Sequence, residues 1–156
     1  MDLTDVKILE ILSKNAKATS TEIGGLVNLS VPAVNKRILK LEKEGVIDRY
    51  TVLTNAKKVE KPVMAFILIV MRYGEGVDSL LEYIKGDTDV LECYAISGEY
   101  DYLIKICSRD VEDLENKLIN LKKLKGVIKS HTMLSLMEHK FTPTVLPDKE
   151  KNICLN

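Results

Sequence analysis

Apolar residues in the first 47 positions fall into three sets at helical spacing: Val6, Leu9 and Leu12 with Ile8 and Ile11 beside them; Ile23, Leu26 and Val27; and Val34, Ile38 and Leu41. Between the sets stand residues that start and stop helices. Asp2 or Thr4 can cap the first helix. Thr19 and Glu22 have the S/T-x-x-E spacing of a capping box, in which each side chain accepts the other residue's backbone N–H. Asn28 tolerates the left-handed backbone of a sharp turn, and Leu29 is placed to plug the core. Ser30, followed by Pro32 in a first turn that needs no N–H, opens another helix. Gly45, Val46 and Ile47 then end that helix, and Arg49 to Leu53 reads as a strand that would form a wing. The pattern predicts three helices, the last two brief and crossing as a helix-turn-helix.

The pattern changes after a polar, lysine-rich stretch from Asn55 to Pro62 that reads as a connector. Val63 to Met71 is an unbroken apolar run rich in Val and Ile, which predicts a strand buried on both faces. Val77, Leu80, Leu81 and Ile84 mark a helix ending at Gly86. Val90 to Ser97 and Tyr102 to Ser108 read as strands joined through Gly98. Asp110 caps a second helix with Val111, Leu114, Leu118 and Leu121 inward, Gly126 closes it, and Val127 to Met137 is the last strand. The order is βαββαβ, that of a ferredoxin-like domain. The predicted fold class is therefore α+β: a winged helix-turn-helix over 1–54, a hinge at 55–62, a ferredoxin-like domain over 63–140 and a tail over 141–156. Two helices cover one face of such a sheet. A central strand apolar on both faces needs a cover for the other, and a second copy of the chain is the simplest one.

Composition narrows this picture. With 46% hydrophobic and 29% charged residues the chain is that of an ordinary globular protein rather than a disordered one. The 23 basic and 23 acidic residues cancel, and residues 1–60 carry only 10 basic against 8 acidic, which argues against a nonspecific nucleic-acid coat and for a local patch. Cys93, Cys107 and Cys154 show no C-x-x-C spacing, so neither a disulfide framework nor a zinc site is indicated, and a reducing cytoplasm fits. Cys93 and Cys107 lie in strand-like runs as small apolar residues. No stretch approaches the roughly 20 apolar residues of a membrane span, and the start of the chain lacks a secretory pattern.

The candidate chemistry lies on the helix after Ser30. Opposite or flanking its apolar stripe stand Ala33, Asn35, Lys36, Arg37 and Lys40. Lysine and arginine neutralise phosphates, and Asn35 and Arg37 offer bidentate hydrogen bonds to adenine and guanine edges in the major groove. Small Ala33 allows close approach. The plainer alternative is a solvated lysine-bearing face, which is the better reading for Lys43. For Asn35 to Lys40 the cap, turn and apolar anchor favour duplex DNA.

Several short motifs carry a resemblance. They are D-x-x-D-x-x-I-L at Asp2 to Leu9, L-S at Leu29 and Ser30, R-I-x-x-L-E at Arg37 to Glu42, G-V-I at Gly45 to Ile47, S-G-E-Y-D at Ser97 to Asp101, and G-V-x-x-x-x-T at Gly126 to Thr132. Together these resemble the Lrp/AsnC, or feast/famine, family of transcription regulators over roughly residues 1–138. The resemblance implies a sequence-specific DNA-binding dimer that assembles into tetramers, octamers or larger discs, with a small effector, commonly an amino acid, bound between dimers. It gives the DNA-contacting role to Ser30, Asn35, Lys36, Arg37 and Lys40. It places Gly98, Glu99, Tyr100 and Asp101, with Ser130 and Thr132, at the effector cleft, where Asp101 and Glu99 would meet an ammonium and the Gly98 N–H and Thr132 a carboxylate. A purely structural alternative stands beside this, with Gly98 permitting a hairpin turn and Asp101 pairing locally. The chain departs from the family pattern at Lys17, Gly24, Gly25 and Ser97. A glycine costs about 1 kcal/mol inside a helix, which predicts a looser second helix.

Two other readings remain open in the sequence. One is an architectural DNA-binding protein without an effector. The other is an enzyme, since some relatives of the family are haem-pathway decarboxylases. Against an enzyme, His131 and His139 sit eight positions apart on one expected strand, about 26 Å from each other, beyond a shared metal or proton relay. No resident cofactor is expected.

Overall fold

A computed structural model describes residues 1–148. Part of the expected tail, 149–156 with Cys154, lies outside the described residues. The chain divides into two compact units, Met1–Leu53 together with the segment beginning at Lys140, and Thr54–His139.

Three capping arrangements build the first unit. Helix α1 (Leu3–Lys14) opens on a reciprocal box in which Asp5 N–H donates to Asp2 Oδ1 at 2.9 Å and Asp2 N–H donates to Asp5 Oδ2 at 3.0 Å. Helix α2 (Ser20–Val27) opens on the expected Thr19 and Glu22 pair, at 2.7 and 3.2 Å, and closes at Asn28 in the left-handed region with φ 55°. Helix α3 (Val31–Lys43) begins after Ser30, which has the extended backbone of an N-cap but whose hydroxyl makes no capping bond. Ile8, Ile23, Val34 and Leu41 are buried at the centre, with Leu9, Leu12, Val27, Leu29 and Ile38 around them. Leu26, expected inward, is 67% exposed. The buried side of α2 runs between Ile23 and Gly24, which leaves Leu26 about a quarter-turn off it.

Gly24 explains that orientation. A Cβ there would stand 2.6 Å from the Leu29 carbonyl oxygen, and the Leu29 N–H donates back to the Gly24 carbonyl at 3.0 Å. The turn closes only because this helix position has no side chain. A methyl group on Gly25 would meet nothing within 4 Å, so that glycine has no such duty. The looseness expected of both glycines therefore belongs to one. Gly25→Ala should raise stability by about 1 kcal/mol, while Gly24→Ala should lower it by about 2 kcal/mol through the backbone clash, both read as shifts in the thermal midpoint.

The wing strand expected from Arg49 to Leu53 does not form. Residues 48–55 carry no regular structure, and Val52 is 82% exposed. A strand needs ladder partners, and among the described residues the only sheet is that of the second unit, which does not include this stretch. Tyr50 ties the stretch to α3, its hydroxyl donating to Glu42 at 2.9 Å. Burial first, then Glu42, pushes the Tyr50 phenol up to about 12.

The second unit has the predicted order: β1 (Val63–Met71), α4 (Val77–Gly86), β2 (Val90–Ala95), β3 (Tyr102–Ser108), α5 (Val111–Lys122) and β4 (Val127–Leu134). The sheet is antiparallel with order β2-β3-β1-β4. Strand β1 is not buried equally on both faces: Ala65, Ile67, Ile69 and Met71 are buried against Leu80, Leu114 and Leu121 of the helices, whereas Met64, Phe66, Leu68 and Val70 are half-buried. Among the described residues the helix side is the more completely covered one. Strand β2 stops at Ala95 rather than Ser97. Strand β4 stops at Leu134, opposite Ala65, close to where β1 itself begins, so His139 lies beyond the strand that carries His131. Val111, expected inward on α5, is 63% exposed because the inner face is set by Leu114 and Leu121.

Charged groups fasten the ends of this unit. Asp89 is buried and pairs with Lys61 and with Lys117, the latter at 2.8 Å; Lys117 also reaches Asp87 at 3.5 Å. Burial works against the ionised form of Asp89, but hydrogen bonds from Lys117 and Lys61 outweigh it and hold the carboxyl below its usual value.

Candidate nucleic-acid interface and effector loop

On α3 the alternation of buried and exposed positions sorts the candidate residues. Val34 and Leu41 anchor the helix, leaving Ser30, Asn35, Lys36 and Lys40 in solvent and Ala33 half-buried. Lys40 is loosely neighboured by Glu44 at 3.9 Å, an exposed pair of little energetic weight. Asn35 Oδ1 accepts a hydrogen bond of 2.5 Å from Ser20 Oγ, which fixes its amide next to the start of α2. Fifteen positions separate those two residues, so nothing in the local pattern pointed to Ser20.

Arg37 has another occupation. One of its guanidinium nitrogens, Nη1, lies 2.7 Å from both Asp2 and Asp5, bridging α3 to the capping box of α1. Hydrogen bonds to Asp2, then Asp5, raise the Arg37 pKa against the opposing effect of burial. On Asp2, burial favours the neutral form but is outweighed by the Asp5 backbone N–H and by Arg37, which lower its pKa. The D-x-x-D spacing at Asp2 and Asp5 was legible; its arginine partner in another helix was not.

The candidate effector residues do not all share one surface. Residues opposite each other in antiparallel strands point to the same side, so Ser130 and Thr132, paired with Ile69 and Ile67, face the helix-covered side. Lys129 and His131, paired with Val70 and Leu68, face the open side. Tyr100 meets that second pair: its ring centroid is 6.4 Å from His131 and 5.3 Å from Lys129 Nζ. Glu99 is exposed, and Gly98 has φ 128°, which a side chain would resist. Asp101 is bound to main chain, Oδ2 accepting the Met71 N–H at 2.7 Å while its own N–H donates to Ile69 at 2.8 Å. Sequence reasoning missed Lys129 and His131. The alternation of β4 could have found their common face, but the contact with Tyr100 depends on the fold.

With this geometry in view, comparison with known proteins identifies the class. Residues 1–48 match the winged helix-turn-helix DNA-binding model, and residues 64–145 match the Lrp/AsnC ligand binding domain. The chain belongs to the Lrp/AsnC family of transcription regulators. It is 35% identical over 152 residues to the HTH-type transcriptional regulator FL11 of Pyrococcus furiosus, covering 96% of this chain and 97% of the relative. To the leucine-responsive regulatory protein of Haemophilus influenzae it is 31% identical, covering 91% and 87%. Among solved structures, a transcriptional regulator from Neisseria meningitidis in complex with L-Met superposes with a TM-score of 0.89 at 28% identity, over 93% of this chain and 96% of that one. The protein is thus a DNA-binding transcription regulator with a small-molecule-binding domain. Among the described residues no helix is long and apolar enough to cross a membrane.

Proposed function

We propose that α3 is the DNA-reading helix, with Asn35, Lys36 and Lys40 contacting the duplex, Ser30 and Ala33 lying against its backbone, and Arg37 positioning the helix rather than reading bases. The observation that carries this reading is the exposure of Asn35, Lys36 and Lys40 beside the buried Val34 and Leu41. The second unit takes a small effector at the Gly98 to Asp101 loop. The L-Met in the Neisseria regulator and the leucine in the name of the Haemophilus relative support an amino acid as the ligand class. Glu99 is the free carboxylate for an ammonium, since Asp101 already serves the main chain. Tyr100, Lys129 and His131 join the site on the open side. A second copy of the chain covers the half-buried Met64, Phe66, Leu68 and Val70. The work is done on DNA in the cytoplasm and involves no catalysis.

A second reading has one observation in its favour. Asp101 is consumed by the backbone and Ser130 and Thr132 face away from Tyr100, as they would if the loop were only structural and the protein an effector-independent DNA organiser. Titration onto the DNA upstream of its own coding sequence and onto scrambled DNA, at one salt concentration, with and without mixed amino acids, separates the two. A preference for the upstream fragment that changes with the mixture supports effector control. An unchanged preference supports the organiser, and no binding to either fragment overturns the role of α3. The substitutions Lys36→Ala and Lys40→Ala should each reduce the slope of log affinity against log salt by about 1, with affinity falling similarly on all sequences. Asn35→Ala should instead cost about 1–3 kcal/mol on the preferred fragment alone.

A further inference from the structure

We propose that Ser20, at the start of α2, is a positioning residue for base recognition: its hydroxyl holds the Asn35 amide in one orientation, so that α3 meets a base edge with a fixed order of donor and acceptor. The proposal rests on the reading of α3 as the DNA-contacting helix. Ser20 Oγ and Asn35 Oδ1 are 2.5 Å apart. Such a separation is within the range of an O–H···O bond, about 2.5–3.0 Å, and below that of an N–H···O bond, about 2.7–3.2 Å. The hydroxyl therefore donates, the amide oxygen accepts, and Nδ2 with its two hydrogens is on the far side of the amide. Asn35 makes no other side-chain hydrogen bond among the described residues.

Both ends of this bond are held by the fold. The capping box of Thr19 and Glu22 fixes the first turn of α2, where Ser20 is the first helical residue. Ser20 and Gly24 are four positions apart and so share a side of α2. On that side Val34 is fully buried, its Cγ2 3.7 Å from where a Gly24 Cβ would stand, and the next residue of α3 is Asn35. The absence of a side chain at Gly24 thus brings α3 close enough for Asn35 to reach Ser20. An exposed asparagine without a partner gains little from either orientation: its last torsion is broad and roughly twofold, and a half-turn exchanges oxygen for nitrogen. Held by Ser20, the amide keeps one lone pair of its oxygen and both Nδ2 hydrogens for a base, the set that matches N6 and N7 of adenine in the major groove. The ordering that binding would otherwise require is already made in the free protein.

Binding by the full chain to the DNA upstream of its own coding sequence and to scrambled DNA, at matched salt, tests this. Ser20→Ala should lose about two- to tenfold in affinity for the upstream fragment while keeping its affinity for scrambled DNA and the wild-type salt slope. Ser20→Thr, which retains a hydroxyl on the same carbon, should keep the preference. In the Asn35→Ala background Ser20→Ala should change nothing further, because the group it positions is gone. The proposal is overturned by Ser20→Ala with an unchanged preference, by Ser20→Thr as impaired as Ser20→Ala, by equal weakening on both fragments, or by a loss that persists in full beside Asn35→Ala. The last two would show the hydroxyl acting on DNA or on its helix by itself. Failure of the parent reading looks different: Asn35→Ala would then bind the upstream fragment as the wild type does. An impaired Asn35→Ala with a silent Ser20→Ala sinks the role of Ser20 alone.

Discussion

Gly76→Ala is expected to destabilise the protein by about 3 kcal/mol or more, the combined cost of an alanine in the left-handed region and of a buried overpacking. Gly76 has φ 76° at the N-cap of α4, and a Cβ built on it would lie 1.7 Å from the Lys125 carbonyl oxygen and 2.5 Å from its carbon. The obstacle is backbone, so no rotamer can relieve it. Nor can the opposing loop retreat freely. Gly126 sits at φ 87°, its own Cβ position is 2.3 Å from the Glu75 oxygen, and its carbonyl accepts the Arg72 N–H at 2.6 Å. The β1–α4 and α5–β4 turns therefore touch main chain to main chain, through two glycines that permit it. Urea unfolding of Gly76→Ala and Gly126→Ala should show both losses, and the double variant should lose less than their sum because one displacement relieves both clashes. A change below about 0.5 kcal/mol in either single variant would mean that the two turns are not in contact.

Arg37→Ala should cost about 2–3 kcal/mol of stability, below the full effect of breaking a buried ion pair because the arginine is partly solvated. Asp5 is 2% exposed and has Arg37 as its charge partner, so the truncation strands a buried carboxylate. Asp2, largely in water, loses little. Asp5→Asn in the Arg37→Ala background should return part of the loss, since the stranded charge is gone, and that non-additivity is the signature of the pair. DNA binding supplies an independent readout. If Arg37 positions α3, its removal weakens binding with an unchanged salt slope; if it grips a phosphate, the slope falls by about 1. An additive cycle together with a reduced slope would return Arg37 to the direct contacts.

These two residues show how far a linear reading goes. Gly126 is visible in the sequence as the end of a helix and Arg37 as a cation on a recognition face. Each interpretation is locally sound. What each residue does, however, depends on a segment distant in sequence: Glu75 and Gly76 for the one, Asp2 and Asp5 for the other. The same holds at the effector loop. A short motif picks out Gly98 to Asp101, but the motif has no record of which strand face meets Tyr100. The linear reading therefore groups Ser130 and Thr132 with the loop, where Lys129 and His131 are its neighbours.

By itself the sequence determined what local physics governs: the helices of the first unit, set by the capping pair at Thr19, by a cap at Asp2 or Thr4 and by apolar spacing; the left-handed turn at Asn28; and the βαββαβ order of the second. Capping, periodicity and turn chemistry act over a few residues, so a few residues reveal them. The tertiary structure alone decided the rest. It left Arg49 to Leu53 without a ladder, because a strand exists only where another lies alongside. It turned Leu26 and Val111 outward, because the buried side of a helix is chosen by its neighbours. It bound Arg37 and Asp101 to partners within the fold, because a charged side chain is claimed by whatever the fold brings within hydrogen-bonding reach.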